Sequence, residues 1–253
     1  MYFSTQQLVT MFKLQAKANS VMSDSWLTSS NDGDEINNES AIPYYRAAHL
    51  EASEAIGHLG FKWWKKESEN VEQAILELVD ILHFCLSDIM RDSFKTKMMQ
   101  EGINFSDIEN PQEFLQESLM ETCEVLVDED YNIDIFEDKE TKIRALEIFI
   151  ERTLNEDCAN LYDCIDLFIG FNCNPNKIYN MYVGKNALNI FRNENGQRDN
   201  KYIKIWNGVE DNIYLEKYFE AIDMENDSVS LDDLNNYLSK QYAIVQTSCT
   251  QQN

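Results

Sequence analysis

Two acids interrupt the most apolar stretch of the chain. Glu77 and Asp80 stand within Ala74-Ile75-Leu76-Glu77-Leu78-Val79-Asp80-Ile81-Leu82-His83-Phe84-Cys85-Leu86, a run whose periodicity predicts a buried helix from Val71 to about Met98. An unpartnered carboxylate in such a helix is expensive, so both residues require a cation or a proton. Their i, i+3 spacing sets the two heads on one face, about 5–6 Å apart at Cβ, which suits shared ligation of a metal.

A matching pair lies upstream. The run Ala47-Ala48-His49-Leu50-Glu51-Ala52-Ser53-Glu54-Ala55 carries Glu51 and Glu54 among small residues that permit close helix approach. If the short connection makes these helices antiparallel, four carboxylates meet in one cleft. Two such charges about 4 Å apart repel by roughly 4 kcal/mol at an effective dielectric of about 20, so the quartet is tenable only with bound cations or protons. Hard oxygen ligands that leave room for water and phosphate suit Mg²⁺ or Mn²⁺. By spacing alone a plainer arrangement stays open, with Glu51 and Glu54 on a solvated face and Glu77 and Asp80 paired with Lys or Arg. A di-iron bundle is disfavoured. Asp80-x-x-His83 resembles half of such a site, but His49, His58 and His83 are the only histidines and supply no second half. Calcium loops fail on their ligands: Ile133 and Lys139 spoil the series Asp128, Asp130, Asn132, Asp134, and Leu234 spoils the one beginning Asp223, Glu225, Asp227.

A basic island from Lys177 to Trp206 holds Lys177, Lys185, Arg192, Arg198, Lys201 and Lys204 against only Glu194 and Asp199. Elsewhere the chain is acidic, 45 Asp and Glu against 21 Lys and Arg, for a net charge of −24. That charge repels DNA, RNA and anionic membranes, so a nucleic-acid polymer is not expected as a partner, and the island reads either as the place where an anion is held or as a few surface cations. Arg offers bidentate contact to phosphate.

The elements that must position these residues read as helices. Only 8 Gly and 3 Pro punctuate 253 residues, too few for the turns of a sandwich or barrel. Periodicity predicts helices over 2–21, 44–59, 71–98, 113–127, 142–154, 161–171, 178–192, 209–222 and 231–242. Residues 23–41 read as a polar surface loop and Thr247 onward as a frayed tail. The expected organisation is N-terminal helices with the metal site (1–100), an acidic helical insertion or lobe (101–160), C-terminal helices with the anion site (161–246) and the tail (247–253). No apolar run approaches a membrane span, the first twenty residues lack a secretory pattern, and the six cysteines form no C-x-x-C pair. A cytoplasmic protein with reduced thiols is expected.

In ordered blocks the chain resembles the dimeric dUTPases, a branch of the all-α NTP pyrophosphatase superfamily. The blocks are Leu14-Gln15-Ala16-Lys17-Ala18-Asn19; Glu51-x-x-Glu54 with Lys62-Trp63-Trp64-Lys65; Glu77-x-x-Asp80-x-x-His83-Phe84; Tyr182-Val183-Gly184-Lys185-Asn186-Ala187-Leu188-Asn189-Ile190-Phe191-Arg192; and Tyr202-Ile203-Lys204-Ile205-Trp206-Asn207-Gly208-Val209-Glu210-Asp211-Asn212. The chain departs from the family pattern after Gly196, where Gln197 stands in place of the family's usual Tyr, and at Asn200, which replaces a further Gly before the next Tyr. The resemblance implies an all-α helical bundle that forms a homodimer and converts dUTP, and often dUDP, to dUMP with two or more Mg²⁺ ions, Mn²⁺ being able to substitute. It implies Glu51, Glu54, Glu77 and Asp80 as metal ligands, with Glu54 as the residue that orients or deprotonates the attacking water. Lys185, Asn189, Arg192 and Lys204 would hold phosphates, and Gln15, Asn19, Trp64, His83 and Asn186 would contact the base and nucleoside. A Gln or Asn amide can be turned to suit uracil or cytosine, so a dCTP-cleaving sibling remains an alternative. So does an acidic interaction module on the same frame. The pair Trp63 and Trp64 reads either as core or as a stacking surface.

Overall fold

The fold was obtained as a computed structural model, which describes residues 2–33, 41–66, 68–128 and 133–250. Those residues form nine α-helices, two short 3₁₀ turns and a single hairpin, so the protein is all-α. The chain divides into two compact units, Met1–Cys173 and Asn174–Asn253.

The first unit holds α1 (Thr5–Met22), α2 (Tyr44–His58), α3 (Val71–Glu101), α4 (Pro111–Asp128), α5 (Lys139–Glu156) and α6 (Leu161–Gly170). Its axis is α3, which starts at an Asn70 cap whose side chain accepts from Gln73 N–H and stops at Gly102, where φ is +66°. A left-handed residue there ends the helix without the Cβ strain any other residue would bring. Leu78, Val79, Ile81, Leu82, Cys85, Leu86, Met90 and Phe94 of α3 are all fully buried. Against them lies α2, whose Ala48, Ala52 and Ala55 are also fully buried. Alanine at i, i+4 and i+7 lets the two backbones approach, and α2 and α3 form the most extensive helix pair in the molecule. The acidic segment supplies α4, on α1 and α3, and α5, on α2 and α6.

The 23–41 segment is not a mere surface loop. Trp26, Leu27 and Ser29 are buried, and residues 34–40 lie outside the described set. Its anchor is Arg91 on α3, which donates to Ile42 O (2.7 Å) and Asn31 Oδ1 (2.9 Å) and pairs with buried Asp88. Asp88 Oδ2 in turn accepts from Ala159 N–H at 2.8 Å, fixing the approach to α6. The buried pair is thus fully hydrogen-bonded, the condition under which burying ions is tolerated.

The second unit holds α7 (Pro175–Glu194), β1 (Ile205–Trp206), β2 (Val209–Glu210), α8 (Asp211–Phe219) and α9 (Leu231–Thr250). Asn174 caps α7 and Pro175 occupies its first turn, where a missing N–H costs nothing. Residues 209–210 are strand and not the start of a helix. Asn207 and Gly208 both have positive φ, the two-residue turn that closes a right-twisted hairpin, and the Asn-Gly pair in the sequence is its signal. Trp206 is fully buried among Phe191, Tyr202, Tyr214 and Tyr242. Helix α9 runs on to Thr250, past Thr247 where a tail was expected. Gly184 is where α8 meets α7: a Cβ there would stand 2.2 Å from the Phe219 ring.

Candidate active site

The α2–α3 pairing brings Glu51, Glu77 and Asp80 together. Each offers a carboxylate oxygen, and these oxygens lie within 4.8 Å of one another, all on partly buried side chains. Among the described residues this is the one group of three or more His, Cys, Asp or Glu so placed. Glu77 Oε1 lies 3.1 Å from His58 Nε2, at the last turn of α2. Glu54, one turn beyond Glu51, is exposed and stands outside the trio. The donor set is entirely carboxylate oxygen, which fits a hard divalent ion such as Mg²⁺ or Mn²⁺ and does not fit a soft one.

Three and seven residues along α3 from Asp80, at His83 and Ser87, the chemistry changes to neutral polar groups. Gln15 and Asn19 of α1, His83 and Ser87 of α3 are all buried and form a closed polar network. Gln15 Nε2 donates to Asn19 Oδ1 and to Ser87 Oγ, each at 3.0 Å, and Asn19 Nδ2 donates to Ser87 Oγ at 3.1 Å. His83 Nδ1 lies 2.9 Å from Gln15 Oε1. Ser87 was not among the expected site residues; its signal is the i, i+4 spacing from His83, which puts both on the face that meets α1. Trp63 and Trp64 are exposed, by 89% and 58%, so the core reading of that pair is wrong. They stack edge to face, centroids 5.7 Å apart, and Phe61 meets Trp64 in the same way.

In the second unit, Lys185, Asn189 and Arg192 fall at i, i+4 and i+7 on α7 and share one face. Arg192 NH1 donates to Asn189 Oδ1 at 3.1 Å. The rest of its guanidinium is engaged by α8: Nε to Asp211 Oδ2 (2.7 Å), NH2 to Asp211 Oδ1 (2.8 Å) and NH2 to Asn212 Oδ1 (2.7 Å). Tyr202 OH donates to Asp211 Oδ2 at 2.7 Å. Burial would push the Asp211 carboxyl up, but the hydrogen bonds from Arg192 and Tyr202 outweigh it and hold that carboxyl below its ordinary value. Lys204 is an exposed partner of Glu210, 3.1 Å away. Asn186 is buried within α7's packing and donates to Tyr182 OH, so it is not on the Lys185 face. The loop after α7 accommodates both departures from the family pattern: Gln197 begins a 3₁₀ turn, and Asn200 takes φ +55°, a conformation Asn tolerates better than other residues with side chains.

An all-α frame in which adjacent helices converge carboxylates beside a buried amide network defines the class as a helical nucleotide pyrophosphatase. A family profile described as dUTPase matches residues 7–197, and the chain belongs to that family. It is by family an enzyme, a dUTP diphosphatase with nucleotide pyrophosphatase activity. A search of curated proteins gives no match. No helix among the described residues is long and apolar enough to cross a membrane.

Proposed function

We propose that the enzyme hydrolyses dUTP to dUMP and pyrophosphate, and dUDP to dUMP and phosphate, with Mg²⁺ as cofactor. The observation that carries this reading is the carboxylate trio, Glu51, Glu77 and Asp80, with its oxygens within 4.8 Å of one another. These residues hold the metal, with two or more ions per site in this reading. When bound, Mg²⁺ supplies neutralisation of the phosphate oxygens and a water of lowered pKa. His58 orients Glu77 through its Nε2 contact. Glu54, exposed and outside the trio, is the carboxylate still able to accept a proton from the attacking water. The water's oxygen bonds to the α-phosphorus while the bridging bond to the β-phosphate breaks, and pyrophosphate leaves.

Gln15, Asn19 and His83 select the base. The hydrogen-bond network fixes the Gln15 amide with its nitrogen toward Asn19 and Ser87 and its oxygen toward His83. Asn19 Nδ2 makes one of these contacts and keeps a second hydrogen for a pyrimidine carbonyl. Uracil carries a carbonyl where cytosine carries an amine, which supports dUTP over dCTP. Exposed Trp64 supplies a face for stacking. Lys185, Asn189, Arg192 and Lys204 take phosphate oxygens. Homodimeric assembly belongs to the same reading, as does a cytoplasmic location, which the five free cysteines among the described residues support.

The test is a panel of dUTP, dUDP, dCTP and dTTP with Mg²⁺, following nucleoside monophosphate and pyrophosphate. Preferential release of dUMP is expected. Turnover of dCTP without turnover of dUTP overturns the base assignment. Full activity in excess EDTA overturns the metal.

A further inference from the structure

Arg192 is a charge already answered. Its Nε and NH2 form a bidentate pair with Asp211, so as a unit the two are neutral, and Arg192 cannot serve simply as net positive charge for an anion. What the arrangement leaves is direction. NH2 also donates to Asn212 Oδ1 and NH1 to Asn189 Oδ1. The guanidinium plane is thus fixed by Asp211, Asn212 and Asn189, with its NH1 edge turned toward Asn189.

Asp211 is in turn saturated. It is the first residue of α8, fully buried, and its oxygens accept from Arg192 Nε and NH2, from Tyr202 OH and, at 3.0 Å, from Asn212 N–H. The helix N-terminus favours a negative side chain at that position. The Tyr202 ring is held by Phe191 and by Tyr242, stacked at 5.1 Å. An aromatic core thus fixes Tyr202, Tyr202 and α8 fix Asp211, and Asp211 fixes the guanidinium plane.

We propose that Asp211, backed by Tyr202, is a positioning residue for phosphate binding: it locks Arg192 so that its NH1 edge, with Asn189 and Lys185 on the same face of α7, meets phosphate oxygens already oriented. The inference rests on the reading of Arg192 as a phosphate ligand and adds residues that themselves touch no substrate.

A double-mutant cycle tests it. Asp211→Asn, Tyr202→Phe and Arg192→Ala are made singly, and each of the first two is combined with Arg192→Ala. Steady-state dUTP hydrolysis with Mg²⁺ is measured together with far-UV circular dichroism and Tm. Asp211→Asn should lower kcat/KM on the order of 10²-fold, the scale of a misplaced positioning group. Tyr202→Phe should lower it about fivefold, equivalent to one hydrogen bond of about 1 kcal/mol. In the Arg192→Ala background neither should lower it further, because the residue they act through is gone. Equal losses with and without Arg192, or unchanged kcat/KM in Asp211→Asn, overturn the positioning role. If Asp211→Asn does not fold, the Tyr202→Phe cycle decides alone by the same criterion. Wild-type kcat/KM in Arg192→Ala is a separate failure, that of the phosphate assignment on which the inference rests.

Discussion

His58 Nε2 lies 3.1 Å from Glu77 Oε1, joining the last turn of α2 to the acidic face of α3. The contact engages one oxygen of a residue in the carboxylate trio. On the proposed reading, in which Glu77 is a metal ligand, His58 orients that ligand and does not replace it. Removing it with His58→Ala should weaken the apparent affinity for Mg²⁺ about 10-fold, with kcat at saturating Mg²⁺ little changed. A Mg²⁺ titration of activity checks this; an unchanged midpoint would show that Glu77 needs no such support.

Glu54 and Asp80 should separate in kinetics. Glu54→Gln removes a proton acceptor outside the trio, so kcat should fall by about 10²–10⁴ while the Mg²⁺ midpoint holds. Asp80→Asn removes a trio member, so the midpoint itself should rise. A shift of the midpoint in Glu54→Gln of the same size as in Asp80→Asn would return Glu54 to the ligands.

Asp88→Ala should be the most destabilising single change in α3's polar interior. It leaves Arg91, 3% exposed, without its carboxylate and Ala159 N–H without its acceptor. Burial raises the Asp88 pKa despite the help of the Ala159 N–H and Arg91, so the pair is a fixed point for loops more than a source of stability. Orphaning a buried charge costs about 3–5 kcal/mol, whereas replacing both partners by apolar residues costs far less. Chemical denaturation of Asp88→Ala beside Asp88→Leu/Arg91→Leu compares the two; equal losses would contradict the argument.

The Asp211–Arg192 pair should make stability depend on acid. Asp211 is held below 3.8, so the folded state binds its proton less readily than the unfolded chain does. Its contribution is therefore fully present above about pH 4 and is lost as pH falls through the lower folded value. The stability difference between wild type and Asp211→Asn should be constant from about pH 7 to 5 and shrink below about pH 4. Urea denaturation across that range tests it, and a difference that grows on acidification has the wrong sign.

Helix content, the α2 and α3 positions and their acids were legible in the chain itself, because period, caps and breakers act within a few residues. Glu77 and Asp80 stood out because an ionisable group in an apolar helix is a local contradiction. Local pattern also placed Gln15 and Asn19 one turn apart on α1. The rest depended on contacts between residues distant in sequence. Whether a carboxylate of α2 faces α3 follows from the rotation of one helix against the other, which is set by how Ala48, Ala52 and Ala55 seat; that rotation admits Glu51 to the trio and turns Glu54 to solvent. Composition could not distinguish Trp63 and Trp64 as core from the exposed pair they are, since burial is a property of neighbours. The engagement of Arg192 by Asp211, nineteen positions away, likewise required the hairpin turn at Asn207-Gly208 to bring α8 back against α7. Sequence determines which groups can carry charge and on which helical stripe they lie; tertiary structure decides which of those stripes meet, because only packing fixes the distances over which electrostatics and hydrogen bonds act.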